Sequence, residues 1–139
     1  MRVLLSIRPE HVESIRSGIK TFEFRRRIFA RRDVSTVLIY CTRPVGRLVG
    51  EFDIADILED EPEALWASTS KGSGISKDYF DAYFEGRRRG FALQIGSLRL
   101  YDEPICPSEW FDNFTPPQSY MYVQPAAACG APMFQPHLL

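Results

Sequence analysis

The chain has 139 residues, of which 45% are hydrophobic and 25% charged, and its formal net charge is -1. These values are ordinary for one globular domain. No apolar run approaches the roughly 18 residues that a membrane-spanning helix requires, and the apolar start Met1–Ile7 is too short for a secretion signal. We therefore expect a cytoplasmic protein with one domain over residues 1–123 and a disordered tail over 124–139.

Charge is distributed unevenly along the chain. Residues 1–50 carry 11 Lys and Arg against 4 Asp and Glu, whereas residues 51–86 carry 2 against 10. A basic N-terminal third is the electrostatic footprint expected for an anion such as a nucleic-acid phosphate. The alternative is that the basic and acidic segments neutralise each other in the fold.

The three cysteines, Cys41, Cys106 and Cys129, are odd in number and widely spaced. They form no metal-ligand pair, and a disulfide framework is not expected. Cys41 lies in an apolar segment and is interpreted as a small buried hydrophobe. The sequence therefore predicts no metal site and no cofactor.

The first predicted elements are a strand over Val3–Ile7 and a helix of about two turns. Pro9 suits the first helical position, and Gly18 suits the end of the helix because glycine takes φ > 0 at no steric cost. A strand should follow, because polarity then alternates with a period of two.

This alternation gives the next strand a packed face, anchored by Phe22 and Phe24, and a polar face. The residues expected on the polar face are Thr21, Glu23, Arg25 and Arg27. Lys20 should lie at the helix-to-strand turn, from which it could swing toward them. A carboxylate among cations is a poor core but a good preorganised site for an anionic, hydrogen-bonding ligand.

The spacing Gly18-x-Lys20-x-x-Glu23-x-Arg25 resembles the signature of the ASCH domain, a member of the PUA-like superfamily. The resemblance is strongest over Val3–Val49 and continues more weakly to about Tyr122. It implies a small open barrel with a cleft, and it implies binding of RNA or a modified nucleoside. Some members are hydrolases.

The middle of the chain predicts two strands and two helices. Val34–Cys41 reads as a buried strand, and Val45–Ile57 as a long strand in which Gly46 and Gly50 indicate a bulge or bend. A helix is expected to begin at Leu58. Ser70–Gly74 is predicted to be a flexible loop without the order of a phosphate-binding loop. Ser76 should then cap a helix that runs to Glu85, with Tyr79, Phe80, Tyr83 and Phe84 forming a core stripe.

The last third predicts strands over Phe91–Ile95 and Leu98–Leu100, a break at Pro104–Pro107, and a final strand over Tyr120–Val123. The run Arg87–Arg89 is interpreted either as a solvated turn or as a second phosphate contact. Before the final strand, Gln118 and Ser119 offer donors and acceptors on a backbone fixed by two prolines. The family resemblance makes Ser119 a candidate site residue, and a hydrogen-bonded turn serine is the alternative.

Together these elements predict an α+β fold: a small, mixed, mostly antiparallel PUA-like β-barrel of five or six strands with two or three flanking helices. The leading function is binding of RNA or a modified nucleoside, with no membrane partner. In it, Lys20, Arg25 and Arg27 meet phosphate, Glu23 accepts hydrogen bonds from a base edge or orders Arg25, and Tyr40 or Trp66 stacks on a base. The residues expected to bind the ligand are Lys20, Thr21, Glu23, Arg25, Arg27, Tyr40, Gln118 and Ser119.

Two alternatives stay open. One is a small hydrolase, a ribonuclease or a nucleoside amidohydrolase, with Lys20, Glu23 and Ser119 as its catalytic residues. In family members that hydrolyse acetylated cytidine, a threonine stands three positions after the motif lysine. Glu23 occupies that position here, which weighs against amide hydrolysis. The other alternative is a protein-interaction module.

Overall fold

The computed structural model describes residues 1–124, so almost all of the predicted tail and Cys129 lie outside the described residues. The described chain is a mixed α+β fold. Its strands are β1 (Arg2–Ile7), β2 (Phe22–Arg25), β3 (Thr36–Cys41), β4 (Arg47–Asp60), β5 (Gly90–Ile105) and β6 (Met121–Val123). Its helices are α1 (Pro9–Arg16), α2 (Pro62–Thr69) and α3 (Lys77–Tyr83), and 3₁₀ turns occupy Ser70–Gly72 and Pro107–Glu109.

The six strands hydrogen-bond in the order β2-β5-β4-β3-β1-β6. β1 runs parallel to β3, while β1 with β6, β2 with β5 and β3 with β4 are antiparallel. The sheet ends at β2 and β6 and does not close on itself within residues 1–124. A barrel needs its first and last strands to pair, so the predicted barrel is wrong. The mixed, mostly antiparallel class, the six strands and the three helices are confirmed.

The chain divides into two compact units. Among the described residues, unit 1 contains 1–9, 29–53 and 98–124, and unit 2 contains 10–28 and 54–97. β4 and β5 are long and contribute residues to both units. The single domain over residues 1–123 stays a prediction.

Unit 1 has its own apolar core, built on β1, β3 and the first half of β4. The parallel register of β1 and β3 places Leu4 beside Leu38, and both side chains are fully buried. The cluster also contains Tyr40, Leu48, Phe111 and Val123. Alternate inward positions on neighbouring strands thus fill one continuous core.

Gly50 explains the irregularity predicted in β4. Ile39 pairs with Gly50 while Tyr40 pairs with Leu48, so Val49 is an extra residue in the strand. A Cβ at Gly50 would lie 2.5 Å from the carbonyl oxygen of Arg99. The backbones of β4 and β5 approach too closely here for any side chain, and the predicted bulge is confirmed.

Unit 2 has a second core, formed where α2 and α3 pack on β2 and β5. Its buried members are Phe24, Leu65, Phe80, Phe84 and Ala92. α3 begins where the sequence predicts, because the Ser76 hydroxyl accepts a hydrogen bond from the backbone N–H of Tyr79 at 3.1 Å. Phe80 and Phe84 confirm the core stripe, whereas Tyr79 is exposed.

Two predicted boundaries are wrong. Leu58 lies in β4 rather than in a helix, because α2 begins only at Pro62. The residue before a proline avoids helical geometry, and Glu61 is extended, with φ -62 and ψ 146. β5 also continues through Pro104 to Ile105. A proline near the end of a strand removes one ladder donor without stopping the extended backbone.

Each α-helix in residues 1–124 has eight residues or fewer, and none of them could cross a membrane.

Candidate functional site: a buried charged centre on the motif strand

Glu23 and Arg25 lie two positions apart on β2 and so share one face of the strand. The Arg25 guanidinium donates a hydrogen bond to the Glu23 carboxylate at 3.2 Å. Only 7% of the Glu23 side chain and 11% of the Arg25 side chain are exposed. The predicted pairing is present. The face that the sequence predicts to be open and polar is nevertheless almost as buried as Phe24 on the other face.

Lys20 is the most deeply buried of the motif cations. Lys20 as a whole is 3% exposed, and its Nζ donates a hydrogen bond to the backbone carbonyl of Ser73 at 2.9 Å. The ammonium also lies 4.7 Å from the centroid of the Phe24 ring. Instead of swinging from a turn, as predicted, Lys20 is held in one position beside Glu23.

The environment of Lys20 changes its acidity. Burial lowers the pKa of Lys20 from its ordinary value, because charging an amine away from water is costly, and the nearby Glu23 charge opposes that shift. Among the described residues, no buried side-chain nitrogen or oxygen lacks a hydrogen-bond partner. Lys20, Glu23 and Arg25, called the buried charged centre below, therefore form a polar cluster whose buried nitrogen and oxygen atoms each have a hydrogen-bond partner.

The segment Ser70–Ile75 holds this centre in place, although the sequence predicts a flexible loop. The Thr21 N–H donates to the Gly72 carbonyl at 2.8 Å. The Ser73 hydroxyl lies 3.0 Å from the Ser70 carbonyl and 3.1 Å from that of Ile75. These bonds fix the carbonyl that receives Lys20.

Two glycines let this segment approach the motif. A Cβ at Gly72 would lie 2.1 Å from the Thr21 hydroxyl, and one at Gly74 would lie 2.5 Å from Cβ of Lys20. Gly74 also has φ +67, which glycine adopts most easily. Sequence reasoning missed these positions, although the run Gly72-Ser73-Gly74 carries the signal of a close backbone approach.

Tyr83 is a second residue that the sequence does not assign to the site. Its hydroxyl donates to the Phe24 carbonyl at 3.2 Å. Burial raises the pKa of Tyr83, while the nearby charge of Arg25 lowers it and that of Glu23 raises it. Tyr83 therefore borders the buried charged centre rather than serving only as part of the core stripe.

Thr21 and Arg27 flank the centre without joining it. Thr21 precedes β2 and is exposed, and its hydroxyl donates to the Gly72 carbonyl at 3.4 Å. β2 ends at Arg25, so Arg27 lies beyond the strand with its side chain exposed. The four-residue polar face predicted from alternation is therefore reduced to two residues.

The other predicted site residues, Tyr40, Gln118 and Ser119, belong to unit 1. Tyr40 is 5% exposed, and its ring packs against Phe114 with centroids 5.1 Å apart. A ring buried to this extent has little surface on which a base could stack, and the stacking role of Tyr40 stays a prediction. Gln118 is exposed and Ser119 half-buried. The segment before them is tied down where the Ser6 hydroxyl donates to the Pro117 carbonyl at 2.8 Å.

Trp66, the alternative stacking residue, is half-buried in the core of unit 2, with its ring 4.9 Å from that of Phe80.

Within the described residues, no group of three or more His, Cys, Asp or Glu could hold a metal ion.

Comparison with known proteins gives three consistent matches. The family model described as the ASCH domain matches residues 5–97. The chain is 32% identical over 127 residues to a protein of Zymomonas mobilis named "ASCH domain-containing ribonuclease", a match that covers 87% of this chain and 83% of that protein. The crystal structure of ASCH from Zymomonas mobilis superposes with a TM-score of 0.82 at 31% identity, over 88% of this chain and 87% of that one.

Proposed function

This chain belongs to the ASCH domain family, and from that premise we propose that it binds RNA or a modified nucleoside through the buried charged centre. Its Zymomonas mobilis relative is named a ribonuclease, which supports an RNA-related function. Lys20, Glu23 and Arg25 are proposed as its residues because of their burial and charge.

The observation that carries the proposal is the burial of three charged side chains on and beside one short strand. Removing an ion from water costs several kcal/mol even after the protein relaxes, and apolar replacements of buried ion pairs are often neutral or stabilising. Folding therefore gives little reason to place Lys20, Glu23 and Arg25 here. Burial also lowers the pKa of Lys20, and a group whose pKa is shifted by burial beside an opposite charge is a candidate functional residue.

The centre offers complementary groups to a nucleobase. The Glu23 carboxylate accepts hydrogen bonds from base N–H groups, and the Arg25 guanidinium donates to base or phosphate oxygens. Both side chains are already oriented by their mutual bond. A preorganised pair loses little conformational entropy when the ligand binds.

A ribonuclease is the second candidate, because the pKa of Lys20 is lowered by burial. A lowered pKa brings a lysine closer to the range in which it can act as a general acid or base. Glu23 is the other residue of the centre proposed to be catalytic, and the catalytic role of Ser119 stays a prediction of the family resemblance. We retain the amidohydrolase only as a weaker form of this candidate, since a carboxylate stands where the threonine nucleophile is expected.

The test is a titration of the protein with free nucleosides, short RNAs and short DNAs, followed by analysis of products. Glu23→Gln keeps shape and removes charge, and Glu13→Gln is its control because Glu13 is an exposed partner of Arg16. We expect Glu23→Gln to bind anions as well or better but to discriminate less among bases. If the protein is a ribonuclease, turnover falls by about 10² to 10⁴-fold with binding retained.

Two results would count against the proposal. One is a wild-type protein that binds no RNA and no nucleoside at any salt concentration. The other is a folded Glu23→Gln protein with wild-type affinity and wild-type selectivity. Arg25→Gln, Ser119→Ala and Tyr40→Phe extend the same assay to the remaining predicted groups.

A further inference from the structure

Arg26 is held on the face of an aromatic ring. The centre of its guanidinium lies 4.3 Å from the centroid of the Tyr83 ring, and its Nε–H donates to the Tyr83 carbonyl at 2.7 Å. Tyr83 is fixed in turn by its hydroxyl bond to Phe24 and by edge contact with Phe84, with ring centroids 4.8 Å apart. Arg26 is nevertheless exposed. One face of the guanidinium packs on Tyr83, and the side chain remains accessible to solvent.

Three further arginines belong to the two chain segments that meet at Arg26. Arg87 donates from Nη2 to the Arg26 carbonyl at 3.1 Å, so the turn after α3 is tied to the end of β2. Arg27 and Arg88 are the exposed chain neighbours of these two residues. We call Arg26, Arg27, Tyr83, Arg87 and Arg88 the arginine platform.

The platform carries positive charge that nearby carboxylates do not neutralise. In the described part of the chain, none of its four arginines has a carboxylate within ion-pair distance. The bonds of Arg26 and Arg87 go to neutral backbone carbonyls instead. By contrast, Arg16 pairs with Glu13, and Arg89, the next residue along the chain, pairs with Glu59 at 3.4 Å.

We propose that the arginine platform is a second nucleic-acid contact, which binds a single-stranded segment of RNA. A base stacks on the exposed face of Arg26, as planar guanidinium groups and aromatic rings stack on bases in RNA recognition. Arg27, Arg87 and Arg88 neutralise the flanking phosphates. This inference rests on the proposed function, since it takes RNA as the ligand, and it assigns a site distinct from the buried charged centre.

The stacked geometry favours a nucleic acid over an acidic protein. An acidic peptide needs only positive charge, which exposed and mobile side chains supply equally well. A guanidinium fixed on an aromatic ring presents a flat surface whose position is set before binding. Flat surfaces match bases, and each stacked base contributes roughly a tenfold or larger gain in affinity.

The experiment measures binding of a fluorescently labelled single-stranded RNA of about 12 nucleotides, a length within the range that single-strand sites cover. Arg26→Ala removes charge and stacking, whereas Arg26→Lys keeps only the charge. Arg16→Ala is the control, because it removes an exposed arginine of unit 2 that already has a partner. We expect both Arg26 variants to bind about tenfold or more weakly, and Arg16→Ala to stay near wild type.

A second pair of variants keeps the test valid if replacement of Arg26 disturbs the fold. Arg88→Gln and Arg89→Gln alter adjacent exposed arginines, of which only Arg89 is paired. We expect Arg88→Gln to reduce the slope of log K against log salt by about 0.7 and Arg89→Gln to reduce it less. Equal slopes in these two variants would overturn the platform.

The remaining outcomes separate the two proposals. If wild-type protein binds no RNA, the proposed function fails. If wild type binds RNA and folded Arg26→Ala and Arg26→Lys match Arg16→Ala, only the platform is overturned. If Arg26→Lys binds like wild type while Arg26→Ala does not, charge alone explains the contribution of Arg26. Stacking of a base on Arg26 would then be excluded, and the inference would be wrong.

Discussion

Two clusters of charged side chains lie on strands of this protein, and they differ in almost every physical respect. In unit 1, Arg99 donates to Glu51 at 2.7 Å and to Asp53 at 2.8 Å, so one guanidinium bridges two carboxylates near the surface. In unit 2, Lys20, Glu23 and Arg25 are almost removed from water, and the Arg25 guanidinium lies 3.2 Å from the Glu23 carboxylate.

The difference separates a surface ion-pair network, which adds to stability, from a buried cluster for which we propose a role in binding. The Arg99 side chain is 44% exposed, and its hydrogen bonds lower the pKa of Asp53 and raise that of Arg99. Such a network adds modestly to stability, and its exposed charges cost little to desolvate. The buried charged centre carries a much larger desolvation cost, and this cost is the reason why we propose a role in binding rather than in stability.

The largest expected effect comes from removing one partner of the buried pair. Arg25→Leu leaves Glu23 as a buried carboxylate without its ion-pair partner, which should lower the free energy of unfolding by about 3 kcal/mol or more. Arg99→Leu should lower it by about 1 kcal/mol or less. Urea denaturation of both variants measures the contrast. Equal losses would show that the two clusters do not differ as described.

Gly74→Ala should have the next largest effect, because the new Cβ meets Lys20 and the backbone has positive φ. We expect a loss of about 1–3 kcal/mol, from strain and displacement of Lys20. Gly86→Ala is the matched control, since Gly86 has φ +78 but nothing within 4 Å of the added Cβ. A smaller loss at Gly74 than at Gly86 would contradict the role of Ser70–Ile75 in holding the centre.

The lowered pKa of Lys20 predicts a pH dependence of smaller size. Between the lowered value and the ordinary 10.5, the unfolded chain binds more protons than the folded one, so stability rises with pH in that window. The slope is at most about 1.4 kcal/mol per pH unit. Denaturation of wild type and Lys20→Met should be measured from neutral pH to 10.5. The free energy of unfolding of wild type should rise relative to that of the variant as pH increases. Parallel curves would mean that Lys20 titrates normally.

The smallest expected effect is at acid pH in unit 1. Because the bond to Arg99 lowers the pKa of Asp53 below 3.8, the stability that Asp53 contributes is present above 3.8 and is lost as pH falls through the lowered value. The difference in melting temperature between wild type and Asp53→Asn should therefore shrink on acidification below 3.8. A difference that persists or grows there would argue against the pairing.

Local sequence patterns were sufficient for much of the secondary structure. Ser76 marked the start of α3, because a serine hydroxyl satisfies a free helix N–H. Gly50 marked the bulge in β4, because only glycine tolerates that backbone contact. The start of α2 was misplaced because every residue of the acidic run Glu59–Glu63 is compatible with a helix N-terminus. The position of Pro62 fixes the start, since the residue before a proline avoids helical geometry.

The sequence by itself pointed to Lys20, Glu23 and Arg25 as candidate site residues and determined that Glu23 and Arg25 share a strand face, since alternation along a strand is a local property. Only the tertiary structure decided that this face is buried and that Lys20 is bonded to Ser73, 53 residues away. It likewise decided that Arg26 stacks on Tyr83. Burial and long-range bonds depend on which segment packs over a strand, and no periodicity within the strand encodes its neighbour.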